Sequence, residues 1–179
     1  MKKICVFCGA RTGGNEAYYE DAKKLGELFT AEKIGLVYGG ANSGIMGEIA
    51  NSVLNSGGVV TGVITEHLLP IEGHTGLADL RIVKTMHERK SMMYEISDGF
   101  AILPGGIGTL DEFFEIFTWA RLKFHTKPIG ILNTSLYYNK LMHFLHHIAD
   151  EGFLRREQLD LLFIADTPDK LLNGLKERL

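Results

Sequence analysis

The chain has 179 residues, 45% of them hydrophobic and 23% charged, a balance that supports one compact domain with a sizeable core. A formal charge of −3 and a pI near 6.2 supply no global field for nucleic acid or an anionic membrane, so any phosphate site must be local. Glycine is abundant, 21 residues against 4 prolines, which points to several loops where the backbone approaches something closely.

The first apolar run, residues 4–8, reads as a strand. It stops at Gly9-Ala10-Arg11 with no small-residue cleavage site, so no signal peptide is expected, and no later stretch approaches a membrane span. The expectation is a soluble, cytoplasmic protein. The only cysteines, Cys5 and Cys8, lie in this run. Strand residues three apart face opposite ways, so the C-x-x-C spacing predicts two buried structural thiols rather than a redox or zinc pair.

Tyr18, Ala22, Leu25 and Phe29 follow the helical period, and a second strand is predicted over 34–38. The alternation continues with a helix over 44–55, strands over 59–65 and 80–85, and a helix over 87–97. After these come a strand over 100–103, a helix over 110–123, a strand over 129–132, a helix over 136–150, a strand over 162–165 and a helix over 169–178. Most strands are nearly continuous in apolar residues, as in sheets covered on both faces. The pattern predicts an α/β fold over residues 1–179, a single-domain, doubly wound parallel sheet with helices on both faces.

Three glycine-bearing turns follow predicted strands: Gly9-Ala10-Arg11-Thr12-Gly13-Gly14, Gly39-Gly40-Ala41-Asn42-Ser43-Gly44 and Pro104-Gly105-Gly106-Ile107-Gly108-Thr109. In open parallel sheets ligands bind beyond the carboxyl ends of the strands. The third turn runs straight into helix signals, so its NH groups and the helix dipole suit a phosphate, with the Thr109 hydroxyl beside them. It lacks the Walker lysine, and neither it nor the first turn has the G-x-G-x-x-G dinucleotide spacing, so it demands neither ATP nor NAD.

Two charged residues stand out. Thr109-Leu110-Asp111-Glu112 fits a capping box, in which Glu112 would satisfy a backbone NH of its own helix; spacing alone leaves capping and catalysis open. Arg89 precedes Met92, Met93 and Ile96 by three, four and seven residues and so shares their inward face. It either snorkels or meets a phosphate or carboxylate. His143, His146 and His147 have helical metal-ligand spacing but no matching carboxylate, so solvent exposure is expected and no metal is assigned. The helix carrying Phe113, Phe114, Ile116, Phe117 and Trp119 is apolar nearly all round, which predicts burial by the core or by a second subunit.

Together, Met86-His87-Glu88-Arg89-Lys90 and Pro104-Gly105-Gly106-Ile107-Gly108-Thr109-Leu110-Asp111-Glu112 resemble the signature of the LOG (Lonely Guy) family. Cys8-Gly9, Val37-Tyr38-Gly39-Gly40, Gly44-Ile45-Met46-Gly47, Thr118-Trp119-Ala120 and Lys127-Pro128-Ile129-Gly130 match in the same order over nearly the whole chain. The resemblance implies a Rossmann-like homodimer with its active site near the subunit interface. It also implies release of the free base from cytokinin riboside monophosphates or AMP, without a cofactor. It carries catalytic roles to Arg89 and Glu112, and substrate binding to Glu72, Arg89, Lys90, Gly106, Ile107, Gly108, Thr109, Leu110, Asp111, Glu112 and Thr118. Ala10-Arg11-Thr12 departs from the family's serine-rich turn, and Asp111 replaces a commoner glutamate.

The expected chemistry seats the 5′-phosphate on residues 106–109, with Thr118 and Lys90 completing the site. Glu112 then stabilises the cationic ribose and directs water to it. Arg89 would align Glu112 or share the phosphate. The alternative reading is a nucleotide or molybdenum-cofactor carrier, which needs the phosphate loop but not the arginine–glutamate pair. A lysine decarboxylase would need pyridoxal phosphate on a Schiff-base lysine, which no feature specifies.

Overall fold

A computed structural model describes Met1–Leu179. Seven strands, β1 (Lys3–Phe7), β2 (Gly35–Tyr38), β3 (Val60–Thr65), β4 (Asp79–Val83), β5 (Gly99–Ile102), β6 (Ile129–Leu132) and β7 (Leu162–Ala165), form one sheet. Their order is β4-β3-β2-β1-β5-β6-β7, and every pairing is parallel. All seven overlap the strands read from the sequence. The inner strands β1, β2, β3, β5 and β6 are buried almost throughout, as strands covered on both faces are. The edge strands β4 and β7 leave Ile82 and Ile164 exposed.

The helices are α1 (Glu16–Ala31), α2 (Gly44–Asn55), α3 (Leu69–Glu72), α4 (Met86–Glu95), α5 (Ile107–Arg121), α6 (Asn139–Asp150) and α7 (Pro168–Lys176). On one face Ile4, Val6 and Cys8 of the β1 segment pack with α1, α2 and α7 through Leu25, Phe29, Ile49 and Leu171. On the other, Cys5 and Phe7 pack with α4, α5 and α6 through Met93, Phe113, Phe117 and Leu145. This is the doubly wound arrangement expected. The two thiols lie in different cores, both free and buried, and burial pushes both above their ordinary range.

Two helix starts and one short helix differ most from the sequence reading. Helix α5 begins at Ile107 instead of Leu110, because Gly106 takes the extended N-cap conformation. Helix α6 begins at Asn139, after a 3-10 turn over Thr134–Leu136 in which Ser135 and Leu136 have positive φ. The short α3 was not anticipated; Pro70 near its start suits a helical first turn.

Chain order and sheet order place the crossover. Strands β1 to β4 step outward in one direction, and the chain then returns to lay β5 against the other side of β1. The carboxyl ends of β1 and β5 therefore form the topological switch point where such sheets bind ligands.

Candidate active site

At that switch point a hydrogen bond from the Gly9 amide to the Pro104 carbonyl (3.1 Å) joins the loop after β1 to the loop after β5. Gly105 must be glycine for close approach: a Cβ there would lie 2.1 Å from the Thr109 hydroxyl and 2.9 Å from the Gly9 nitrogen. Above this junction opens a cavity of about 480 Å³, walled by the starts of α2 and α5, the loop after β1 and the segment carrying α3. Its volume is that of a small-molecule site. The first amides of α5 have no carbonyl partner within the helix and, with the dipole, favour an anion.

Arg89 and Glu112 are the charged pair at the base of this cavity. Both are buried, at 6% and 8% exposure. Arg89 Nη1 donates to Glu112 Oε1 at 2.9 Å, Nε donates to the Val63 carbonyl at 3.0 Å and Nη2 to the Gly39 carbonyl at 3.2 Å. A Cβ on residue 39 would stand 2.0 Å from the guanidinium, so the Gly39 position makes room for the arginine. No buried side-chain polar atom lacks a partner, so the second carboxylate oxygen of Glu112, which no protein donor reaches, opens onto the cavity Glu112 lines. Burial pushes the Glu112 carboxyl above the ordinary glutamate range, against the opposing pull of Arg89.

The capping reading of Glu112 is overturned. Because α5 starts two residues before Thr109, that threonine sits inside the first turn and caps nothing. The carboxylate is bonded to α4 across the fold, not to its own main chain. The arrangement sets a carboxyl, held by the Arg89 guanidinium against a desolvating wall, within reach of whatever occupies the cavity.

The other sequence-singled residues divide. Glu72, Gly106, Gly108, Thr109 and Asp111 line the same cavity as Arg89 and Glu112. Ile107 points to solvent at 82% exposure, and Leu110 packs against the core under α5. Lys90 does not line the cavity; its amine pairs with Asp111 (3.0 Å) and Glu115 (3.2 Å). Burial alone would lower its pKa, but these two carboxylates outweigh it and leave it raised. Thr118 is not on the cavity wall; it follows Glu112, the last α5 residue that lines it, by about 9 Å along the helix at 1.5 Å per residue. The three α6 histidines are exposed, as expected.

Sequence reasoning missed several wall residues. Tyr18, whose spacing marked it as a core position of α1, faces the cavity, where its ring meets Tyr137 edge-on at 5.4 Å. Tyr137 donates to the Gly105 carbonyl at 2.6 Å, tying the turn before α6 to the loop after β5. Met46 and Arg11 also contribute. His74 anchors the α3 segment: it is buried, its Nδ1 lies 2.8 Å from the Tyr38 hydroxyl, and its amide donates to the Gly40 carbonyl. The amide of Asn42 likewise holds the Glu72 carbonyl at 2.8 Å. Glycine after β2 was the one sequence signal for this anchoring.

A parallel α/β protein with an anion-suited cavity at its switch point, and a buried arginine–carboxylate pair beneath it, belongs among nucleotide-handling α/β proteins. Residues 46–175 match the family model described as "Possible lysine decarboxylase". The chain is 46% identical over 155 residues to a protein from Rhodococcoides fascians named "Cytokinin riboside 5'-monophosphate phosphoribohydrolase", covering 86% of this chain and 78% of that one. It is 41% identical over 179 residues to "Cytokinin riboside 5'-monophosphate phosphoribohydrolase LOG1" of Arabidopsis thaliana, covering 99% and 84%. The chain belongs to this family, the LOG proteins. Among solved structures, a molybdenum cofactor binding protein from Rippkaea orientalis shares the fold, with a TM-score of 0.76, 20% identity and coverage of 99% and 97%.

Proposed function

We propose that the chain hydrolyses the N-glycosidic bond of a nucleoside 5′-monophosphate, a cytokinin riboside monophosphate or AMP, giving free base and ribose 5-phosphate. The observation that carries this reading is the Glu112 carboxylate, buried, aligned by Arg89 and open to a cavity beside the α5 N-terminus. The phosphate rests on the amides of residues 106–109 with the Thr109 hydroxyl, which puts the sugar over Glu112. As the bond from C1′ to the base nitrogen breaks, its electron pair leaves with the base and positive charge builds on the ribose. Glu112 stabilises that charge and takes a proton from the water that adds to C1′. The departing base takes up a proton from solvent, so that one water is consumed and neutral base and ribose 5-phosphate are formed. Arg89 is spent on Glu112 and two carbonyls, so its part is to hold the carboxylate ionised and in place.

Family names support this chemistry over a decarboxylase. The cavity wall has no lysine, and Lys90 is tied to Asp111 and Glu115 instead, so a Schiff base has no amine there. The carrier reading draws on a likeness of fold at 20% identity, and it leaves the buried Arg89–Glu112 pair without a task.

The reading includes a homodimer of one 179-residue catalytic domain. Ile107, Asp111, Phe114, Thr118 and Leu122 follow one stripe of α5 at helical spacing. Ile107, Phe114, Leu122 and nearby Phe124 leave much apolar surface exposed. A second copy across this stripe would cover it, and Thr118, off the wall of its own cavity, would serve the partner's. Light scattering should give twice the monomer mass. No helix is long and apolar enough to cross a membrane, and two free buried thiols suit a reducing cytoplasm.

The test is chromatographic release of base from a panel of nucleoside 5′-monophosphates. Release of adenine or a cytokinin base, lost in Glu112→Gln with nucleotide binding kept, is the expected result. Tight AMP binding with no base released by the wild type would favour the carrier instead.

A further inference from the structure

We propose that Arg11 is the cation that receives the 5′-phosphate and so sets the preference for a phosphorylated substrate. The inference rests on the reading of the cavity as a nucleotide site, and it follows from an account of the charges around that cavity.

Three carboxylates line the wall, Glu72, Asp111 and Glu112, against two arginines, Arg11 and Arg89. A phosphate dianion entering such a wall needs a cation that is still available. Arg89 is buried and held by Glu112, the Val63 carbonyl and the Gly39 carbonyl. Lys90 lies off the wall between Asp111 and Glu115. Arg11 is exposed, and all nine ion pairs of the chain leave it out. It is the one lining cation with no carboxylate of its own.

The backbone at its root is fixed. The Gly9 amide donates to Pro104, the Gly9 carbonyl accepts from the Met46 amide at 3.1 Å, and the Ser43 hydroxyl donates to the Ala10 carbonyl at 3.1 Å. A Cβ on Gly44 would lie 2.4 Å from the Arg11 nitrogen, so this root is seated against the start of α2. Arg11 therefore rises between the N-termini of α2 and α5, where both helix dipoles favour an anion. Its guanidinium fork matches two phosphate oxygens, closing from the solvent side a site whose floor is the α5 amides.

The experiment is titration calorimetry of wild type, Arg11→Ala and Arg11→Lys with AMP and with ribose 5-phosphate, alongside steady-state kinetics on the preferred nucleotide. A charge-assisted hydrogen bond contributes about 1.5–3 kcal/mol, a factor of roughly 10–150 in affinity. Arg11→Ala should weaken both ligands by that order, with KM rising in step and kcat little changed, while Arg11→Lys falls between. Thermal melts should be unaltered, since the side chain holds nothing in the fold. Unchanged affinity for ribose 5-phosphate overturns the proposal, and so does a loss confined to AMP, which would put Arg11 on the base. A wild type that binds both ligands but releases no base refutes the hydrolase reading alone, and the calorimetric comparison still judges Arg11.

Discussion

The pattern T-x-x-E occurs at the start of two consecutive helices, and the two copies end differently. Before α4, Thr85 is the N-cap: its hydroxyl accepts from the Glu88 amide at 3.1 Å, and Glu88 Oε2 accepts from the Thr85 amide at 3.3 Å. In α5, Thr109 is already inside the helix and Glu112 reaches across to Arg89. The first glutamate is exposed and caps its own helix, whereas the second is buried and lines a cavity. Local spacing is equal in both, so it did not decide. What decided was where the helix begins, set by Gly106, and which charge the neighbouring element presents.

The sharpest way to break this contrast is to remove the charge from each glutamate in turn. Glu112→Gln should lower kcat by on the order of 10²–10³, the usual cost of losing one transition-state stabiliser. Glu88→Gln should leave turnover unchanged, since glutamine also completes a capping box. Equal turnover in Glu112→Gln and wild type would put the two glutamates back on the same footing.

Arg89→Ala tests the buried pair as structure. Removing one partner of a buried ion pair commonly costs about 3–5 kcal/mol, so a large fall in Tm is expected at neutral pH. The fall should shrink on acidification, because Glu112 then takes up a proton and no lone charge stays buried. A melt that ignores pH would count against this account.

The pH profile carries the next effect. Burial holds Glu112 above the ordinary glutamate range, and its carboxylate form is the one that works. Turnover at saturating nucleotide should therefore fall as pH drops through that raised value. The acid limb should lie at higher pH than the roughly 4.3 of a free glutamate. A limb at the free value would show that the working carboxylate is an exposed one.

The smallest effect belongs to the true cap. Thr85→Ala should destabilise by about 1 kcal/mol, seen in chemical denaturation, with KM and kcat retained. Thr109→Ala should weaken nucleotide binding more than folding, the reverse order.

Much of the fold was legible because its physics is local. Seven strands stood out as apolar runs, and the paired strand faces followed from period two, as the separation of Cys5 and Cys8 into two cores bears out. Helix starts were less legible, since the N-cap of α5 is a glycine that signals by conformation and not by a side chain. In α6 the two residues with positive φ carry ordinary side chains that gave no warning. In the site, Arg89 was marked by its place on an apolar face, but Tyr18 carried the same mark, and besides packing against the core it lines the cavity, which the period alone does not signal. Tyr137 and Arg11 belong to turns, where no period exists to read.

The sequence by itself determined the α/β alternation, the two-sided burial of the strands and the glycine-marked loops at their ends, because backbone geometry and side-chain period act within a few residues. Only the tertiary structure decided that β5 lies beside β1, that Arg89 spends its guanidinium on Glu112 while Lys90, one residue on, turns to Asp111, and that Arg11 stays unpaired. Those outcomes depend on charges brought together from distant parts of the chain. Which cation meets which carboxylate is fixed by packing and desolvation after the sheet has closed around them.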